Sequence, residues 1–372
     1  MMVNSILITN SGLNKNSGGG LVSFNLMEAL KSCSELKTIF SAQIFPNDEF
    51  CNSKAFSALP QSYGYEQATP FFMDSFISNY LPDEPIDLAQ TYACPFPCTV
   101  EKLKYKYDTK VVADLAPHNI AVSKEEHIKI QGAYPFPHLT NPNLLHMYLR
   151  HLRLADKVVV HSNSSAEYIM KEAKLKELPL VIPHGCYIPE KIESLPSTMT
   201  PGNFGALGID KGSSYLFDAW LGLYHEGGPF KENHQLMLGG TGSGQLALKE
   251  EYQPLFSHIP HVPNVSDFYN KISFLIHPSV VEGFGITVLE AMAHARPVIV
   301  ATGAGASELV TDGRDGFVIP IRDVKAIQDK IIFLYDNPSE IERMGRNAAE
   351  TAKKYSWEII KKEYVKVYEE LI

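Results

Sequence analysis

The chain reads as an α/β protein of two domains, and three observations predict it. With 372 residues and 45% hydrophobic content it can bury more than one core. Short apolar runs at 5–9, 235–238 and 272–276 are each followed by glycine-rich turns and then by helical patterns, the repeating unit of a parallel sheet. Pro189, Pro196 and Pro201, with Ser194, Ser197 and Thr198 between them, make a linker of little core content, which places a boundary near residue 190.

Taken in order, the run 5–9 is a buried-type strand, and Gly18, Gly19 and Gly20 precede a helix over 21–31 whose apolar side is Leu21, Phe24, Met27 and Leu30. The glycine spacing lacks the acid about 20 residues on that a dinucleotide site would carry. From 39 to 97 short apolar runs mix with Pro, Phe and Tyr, and no elements are assigned. Lys102, Lys104, Lys106 and Lys110 alternate with Tyr105 and Tyr107. That run reads as a solvated face, with contact to an anionic acceptor or a membrane surface as the alternative. Residues 111–114 form a strand with Asp114 at its C-terminal end, where parallel sheets bind ligands, and His118 follows. A strand near 158–160 leads into a helix over 165–174, and 180–182 forms one more strand before the linker.

In the second half, a strand opens at 203, Lys211-Gly212 precedes a helix, and 235–238 runs into Gly239, Gly240, Thr241 and Gly242. The densest stretch is His277-Pro278-Ser279, then Glu282-Gly283-Phe284-Gly285-Ile286-Thr287, then Glu290-Ala291-Met292-Ala293, closing with Arg296-Pro297. A strand, a tight turn and a helix start make an anion site, because the first N–H groups of a helix lack internal acceptors and carry the positive end of its dipole. Gly283 and Gly285 let backbone approach a phosphate. Glu282 and Glu290 bracket it, each able to accept from a vicinal diol, which suggests a sugar on either side of a phosphate. Three helices finish the chain, over 324–335, 338–354 and 357–371, the middle one with Asn337 as N-cap, Pro338 at its first position and Glu340 closing a capping box.

Glu282 and Glu290, with Gly-Phe-Gly between and Ala-Met-Ala after, resemble the donor motif of the family four retaining glycosyltransferases, nucleotide-sugar enzymes of the GT-B fold. The resemblance covers most of 1–35 and 150–372. It implies two Rossmann-like domains with the active site in the cleft between them: 1–189 for the acceptor, 190–355 for the nucleotide sugar, and a helix over 356–372 crossing back to the first. It further implies transfer of a hexose-type sugar to the hydroxyl of a saccharide, lipid-linked or small-molecule acceptor, with configuration retained and with no bound metal or other cofactor. By the same resemblance Glu282 orients the donor sugar, backbone at Phe284, Gly285, Ile286 and Thr287 holds sugar and diphosphate, Glu290 binds the ribose, Lys211 neutralises the diphosphate, and Gly19, Gly20, Gly240 and Thr241 line the donor pocket. The segment at His261 would contact the base through its backbone.

Two positions depart from the family pattern. Its His-Asp pair reads Ala113-Asp114, leaving His118 or Asp114 near the reacting carbon, and its first diphosphate cation, an Arg, is Ala206. Lys15 is a candidate substitute for that Arg. The departures leave a non-catalytic sugar-nucleotide-binding subunit as an alternative, with a nucleotide-sugar epimerase as a further one.

Composition narrows the class. A net charge of -9 and a pI near 5.8 argue against a nucleic-acid-binding surface. The cysteines at 33, 51, 94, 98 and 186 form neither an even disulfide framework nor a zinc spacing, and read as reduced thiols of a cytoplasmic protein. No run approaches the ~18 apolar residues of a membrane helix, and residues 1–10 do not read as an export signal.

Overall fold

The computed structural model describes residues 3–9, 18–41, 53–55, 69–115, 120–132, 142–227, 230, 235–240, 250–260 and 262–372. Two compact units emerge. One comprises Met1–Pro117, Pro135–Pro183 and Glu358–Ile372; the other comprises His118–Tyr134 and His184–Trp357.

The first unit is built on β1 (Asn4–Thr9), α1 (Gly18–Cys33), β2 (Glu35–Ser41), β3 (Ser53–Ala55), α2 (Thr69–Asn79), β4 (Leu88–Tyr92), α3 (Pro97–Tyr107) and β5 (Lys110–Asp114). After α4 (Ile120–Gln131), which belongs to the second unit, it continues with α5 (Pro142–Leu154), β6 (Lys157–Val160), α6 (Asn163–Ala173) and β7 (Leu180–Val181). Its strands pair in parallel in the order β3-β2-β1-β4-β5-β6-β7. A parallel strand covered on both faces is apolar throughout, and Ile6, Leu7 and Ile8 are each fully buried. The three glycines expected in a loop before α1 instead form its first turn. On α3 the lysine run is not uniformly free: Lys104 pairs with Asp156 at 2.6 Å, while Tyr105 stands out, 95% exposed.

The second unit carries β8 (Pro201–Phe204), α7 (Ser213–Glu226), β9 (Leu236–Gly239), β10 (Phe256–Ile259), α8 (Val265–Tyr269), β11 (Phe274–His277), α9 (Ile286–Ala293), β12 (Val298–Ala301), β13 (Gly316–Ile319), α10 (Val324–Asp336) and α11 (Pro338–Lys353). Its strand order is β10-β9-β8-β11-β12-β13, again parallel. Alternation along the strands divides the core in two: Phe274, Ile276, Ile299 and Ala301 pack with α7 and α10 residues such as Trp220 and Ile331, while Leu275, Val298 and Val300 pack with Val288, Leu289 and Met292 of α9. Both sheets therefore have the order of a Rossmann-like sheet, with the direction of strand addition reversing beside β1 in one and beside β8 in the other. Crevices at such reversals, beyond the C-terminal strand ends, are where open α/β sheets bind ligands.

The final helix, α12 (Trp357–Glu369), belongs from Glu358 onward to the first unit. There the Tyr364 hydroxyl donates to Asp114, and Tyr368 donates to Gln90 at 2.9 Å. The capping box expected at α11 does not form. Asn337 donates its amide to Phe333 of the preceding helix at 2.8 Å, and Glu340 pairs with Arg343. Among the described residues no helix is long and apolar enough to cross a membrane.

Candidate active site

β11 ends at His277 beside the reversal in the second sheet, and the chain then turns through 278–285 into α9. Gly285 sits at the N-cap with φ +97°, and a Cβ there would lie 3.2 Å from the His277 ring and 3.4 Å from a Glu282 oxygen. Only glycine holds that backbone without strain while leaving the two side chains in place. The turn brings five side chains together. Glu282 takes Lys211 on Oε1 at 2.6 Å, and on Oε2 it takes His277 at 2.5 Å and Ser279 at 2.9 Å. The other ring nitrogen of His277 lies 3.3 Å from the Thr287 hydroxyl. Nε2–H donates to Glu282, so the ring bridges the carboxylate and the Thr287 hydroxyl.

Burial works to raise the Glu282 carboxyl, but Lys211 and His277 beside it prevail and hold it far below the usual carboxylate range. Lys211 is fixed by its own turn. Gly212 follows it with φ +66°, where an added Cβ would meet the Pro278 carbonyl oxygen at 2.1 Å, so the turn and the 278–282 segment are in direct backbone contact. The carbonyl of Asp210 receives the N–H groups of Val280 and Val281 at 2.9 and 3.1 Å.

One turn into α9, Glu290 accepts from Tyr269 at 2.8 Å. Burial raises its carboxyl and the tyrosine hydroxyl only partly offsets this, the opposite of Glu282. His294, at the end of the helix, reaches Ser266 at 2.9 Å. Arg296 is 1% exposed and donates to the carbonyls of Tyr269, His294, Glu193 and Ser194, tying the linker to the end of α9. The arrangement is a helix start with an ionised acid at its foot, a cation on that acid, and a second, less acidic carboxyl one turn in.

Residues 199–337 match the family described as glycosyl transferases group 1. That family moves sugars from nucleotide-sugar donors. Over 305 residues the chain is 29% identical to an uncharacterized glycosyltransferase of Methanocaldococcus jannaschii, covering 79% of this chain and 78% of that one. It is 35% identical over 174 residues to a capsular polysaccharide biosynthesis glycosyltransferase of Staphylococcus aureus, 45% of each chain. Among solved structures, sucrose-phosphate synthase from Thermosynechococcus elongatus superposes with a TM-score of 0.78 over 99% of both chains at 18% identity, a likeness of fold. The two Rossmann-like sheets are those of a GT-B chain.

Within the matched region 199–337, Glu282, Gly283, Phe284, Gly285, Ile286, Thr287 and Glu290 lie along one turn and one helix, and Lys211 reaches Glu282 from a second turn. Phe284 is buried with its ring edge-on to His184 at 5.2 Å. Gly240 follows β9 with φ +105°, its N–H on the Ile259 carbonyl at 2.9 Å. Ala206 is exposed in the loop after β8. Gly19 and Gly20 lie in the first turn of α1, in the other unit. His118, Thr241, Lys15, His261 and Cys51 lie outside the described residues; the cysteines at 33, 94, 98 and 186 are free thiols.

Asp114 was expected at an open strand end and is instead wholly enclosed. It is 0% exposed, with the Tyr364 hydroxyl on one oxygen and His161 Nε2 3.0 Å from the other. The sequence places Tyr364 far from Asp114, so only the fold reveals that this carboxylate anchors α12. Sequence reasoning placed His277 and Ser279 at the head of the central stretch without giving them a role, and it passed over Asp210. The signal for His277 was available: a polar residue closing an otherwise apolar strand, five positions before an acid.

Proposed function

We propose that the chain transfers a hexose-type sugar from a nucleotide-diphosphate donor to an acceptor hydroxyl, with the anomeric configuration retained. The observation that carries this reading is Glu282, held as an anion between Lys211 and His277 at the foot of α9. A diphosphate presents denser charge than a carboxylate. Lys211 turns to it on binding, while His277 and Ser279 keep Glu282 in place for the hydroxyls of the donor sugar. The opening N–H groups of α9 take phosphate oxygens, and Glu290 accepts from the ribose.

As the bond from the anomeric carbon to the phosphate oxygen breaks, negative charge grows on the diphosphate, where Lys211 and the helix start stabilise it. A preorganised donor at such a position contributes ~3 kcal/mol, about a hundredfold in rate. The acceptor oxygen bonds to the same face of the carbon, and its proton passes to the departing phosphate oxygen. No side chain is called on as nucleophile, and the scheme uses no metal. The acceptor is a saccharide, a lipid-linked glycan or a small molecule.

Thermal unfolding with UDP-, GDP- and ADP-sugars at roughly millimolar concentration tests the reading, since a ligand at about a thousand times its dissociation constant adds ~4 kcal/mol. The donor that shifts the transition should be hydrolysed slowly to a sugar whose initial anomeric form, read by NMR, matches the donor, and Lys211→Ala should slow this about a hundredfold. No shift with any nucleotide sugar would sink the proposal. The exposed Ala206, where the family pattern has an Arg, favours a second reading, a sugar-nucleotide-binding subunit. That reading expects a shift with neither hydrolysis nor transfer. Turnover to an altered sugar nucleotide with no acceptor present would point to epimerisation.

A further inference from the structure

Val122 and Ile130 of α4 pack on the core of the unit, but among the described residues the most deeply buried positions of the helix are polar. Ser123, Glu126 and His127, at the spacing of one helix face, are 0%, 0% and 1% exposed. Each meets the rest of its own unit through a specific partner. Glu126 accepts from the Tyr215 hydroxyl and from Arg322, both at 2.5 Å, and Lys129 reaches the same tyrosine hydroxyl at 2.9 Å. Ser123 donates to Asp210 Oδ2 at 3.0 Å. His127 Nε2 lies 3.5 Å from the same oxygen, while its Nδ1 faces the Gln131 amide at 3.1 Å, which leaves Nε2 as the protonated nitrogen.

Asp210 is therefore gripped at both ends. Its side chain is held from α4, and its main-chain carbonyl holds the N–H groups of Val280 and Val281. Lys211 is the next residue along one strand of this arrangement and Glu282 the next along the other. Any rotation of the Asp210 backbone would carry its carbonyl away from both amides and would shift the two charged groups against each other. We propose that Asp210, clamped by Ser123 with His127 beside it, is a positioning residue for the Lys211–Glu282 pair. Placement within a few tenths of an ångström is what separates a preorganised charge site from a merely present one. This inference rests on the reading that the pair meets the donor.

Amide hydrogen exchange at Val280 and Val281 tests it directly, in the full chain and with no ligand. Asp210→Ala and Ser123→Ala should speed exchange at these two amides about tenfold, the usual worth of one hydrogen bond to a charged group, with the amides of α11 unchanged. Asp210→Asn keeps an oxygen for Ser123 and should restore protection to within about threefold of the wild type. With the donor identified as above, kcat for its hydrolysis should fall about tenfold in Asp210→Ala while KM stays within about twofold. Unchanged exchange at 280 and 281 in both Ala variants overturns the proposal. So does an equal rise throughout the unit, which would mark a merely structural role. If the wild type processes no nucleotide sugar, the functional reading fails, and the exchange result still decides the clamp.

Discussion

Replacing Glu282 by Gln tests how the site carries its charge. The carboxylate accepts from Lys211, His277 and Ser279 at 2.6, 2.5 and 2.9 Å. An amide keeps one oxygen for His277 and Ser279 but turns an NH2 group toward Lys211, so one charge-assisted bond is lost. A shielded bond of this kind contributes ~1.5–3 kcal/mol. The Lys211 side chain is 36% exposed against 17% for Glu282, so solvent screens the pair and the expected loss is ~1–2 kcal/mol. For a unit of this size that is about 2–8 °C in Tm. Acidity gives the sharper readout. The Glu282 carboxyl is depressed in the folded chain, so its stabilisation is complete above the unfolded value of about 4.3 and is lost as pH falls toward the lower folded value. Urea midpoints of wild type and Glu282→Gln should thus differ most near about pH 7, and the gap should narrow below about pH 4. A gap of constant size down to about pH 3 would refute this account of the site.

Three further outcomes follow from the same geometry. Glu290, raised by burial, stabilises the fold only below its unfolded value and ceases to as pH rises through the folded one, so Glu290→Gln should raise Tm at neutral pH and lose that advantage in acid, while weakening nucleotide-sugar binding measured by calorimetry. Gly212→Ala combines a φ of +66° with a contact at 2.1 Å to the Pro278 carbonyl, and should cost roughly 2–4 kcal/mol in chemical denaturation along with donor hydrolysis. Tyr364→Phe removes the donor to a fully buried carboxylate, and should destabilise by ~1–3 kcal/mol with no change in nucleotide-sugar affinity.

Much of the second unit was legible because its elements are locally self-consistent. The strands expected at 235–238 and 272–276, and the helix start after Gly285, appear where the apolar runs and glycine placement put them, to within two residues. Glu282 and Glu290 stood out because they bracket the loop glycines Gly283 and Gly285. What stayed illegible depends on distant partners. In α4 the polar Ser123, Glu126 and His127 share the inward side with Val122 and Ile130, which blurs the apolar stripe that would announce a helix; their polarity is met by Asp210, Tyr215 and Arg322, far along the chain. Asp114 looked like a strand-end acid, and its partner lies 250 residues away. The box expected at Asn337 and Glu340 failed because nearer partners, Phe333 and Arg343, compete for both side chains. In the first unit, α2, α3 and β4 went unread: α2 and α3 pack on one another, and runs rich in proline and aromatics carry little period.

The anchoring of α12 has a consequence for how the protein is made. Tyr364 leaves the ribosome 250 residues after Asp114, about 12 to 50 seconds later at ordinary rates of elongation. Throughout that interval the first sheet holds a buried carboxylate without its hydroxyl, and Gln90 without that of Tyr368. The second unit, apart from α4 encoded between 183 and 358, needs nothing that is synthesised later than itself. Synthesis thus makes the earlier-encoded unit wait for the last helix, so a chain truncated near 355 would leave Asp114 and Gln90 of the first sheet without these two hydroxyl partners.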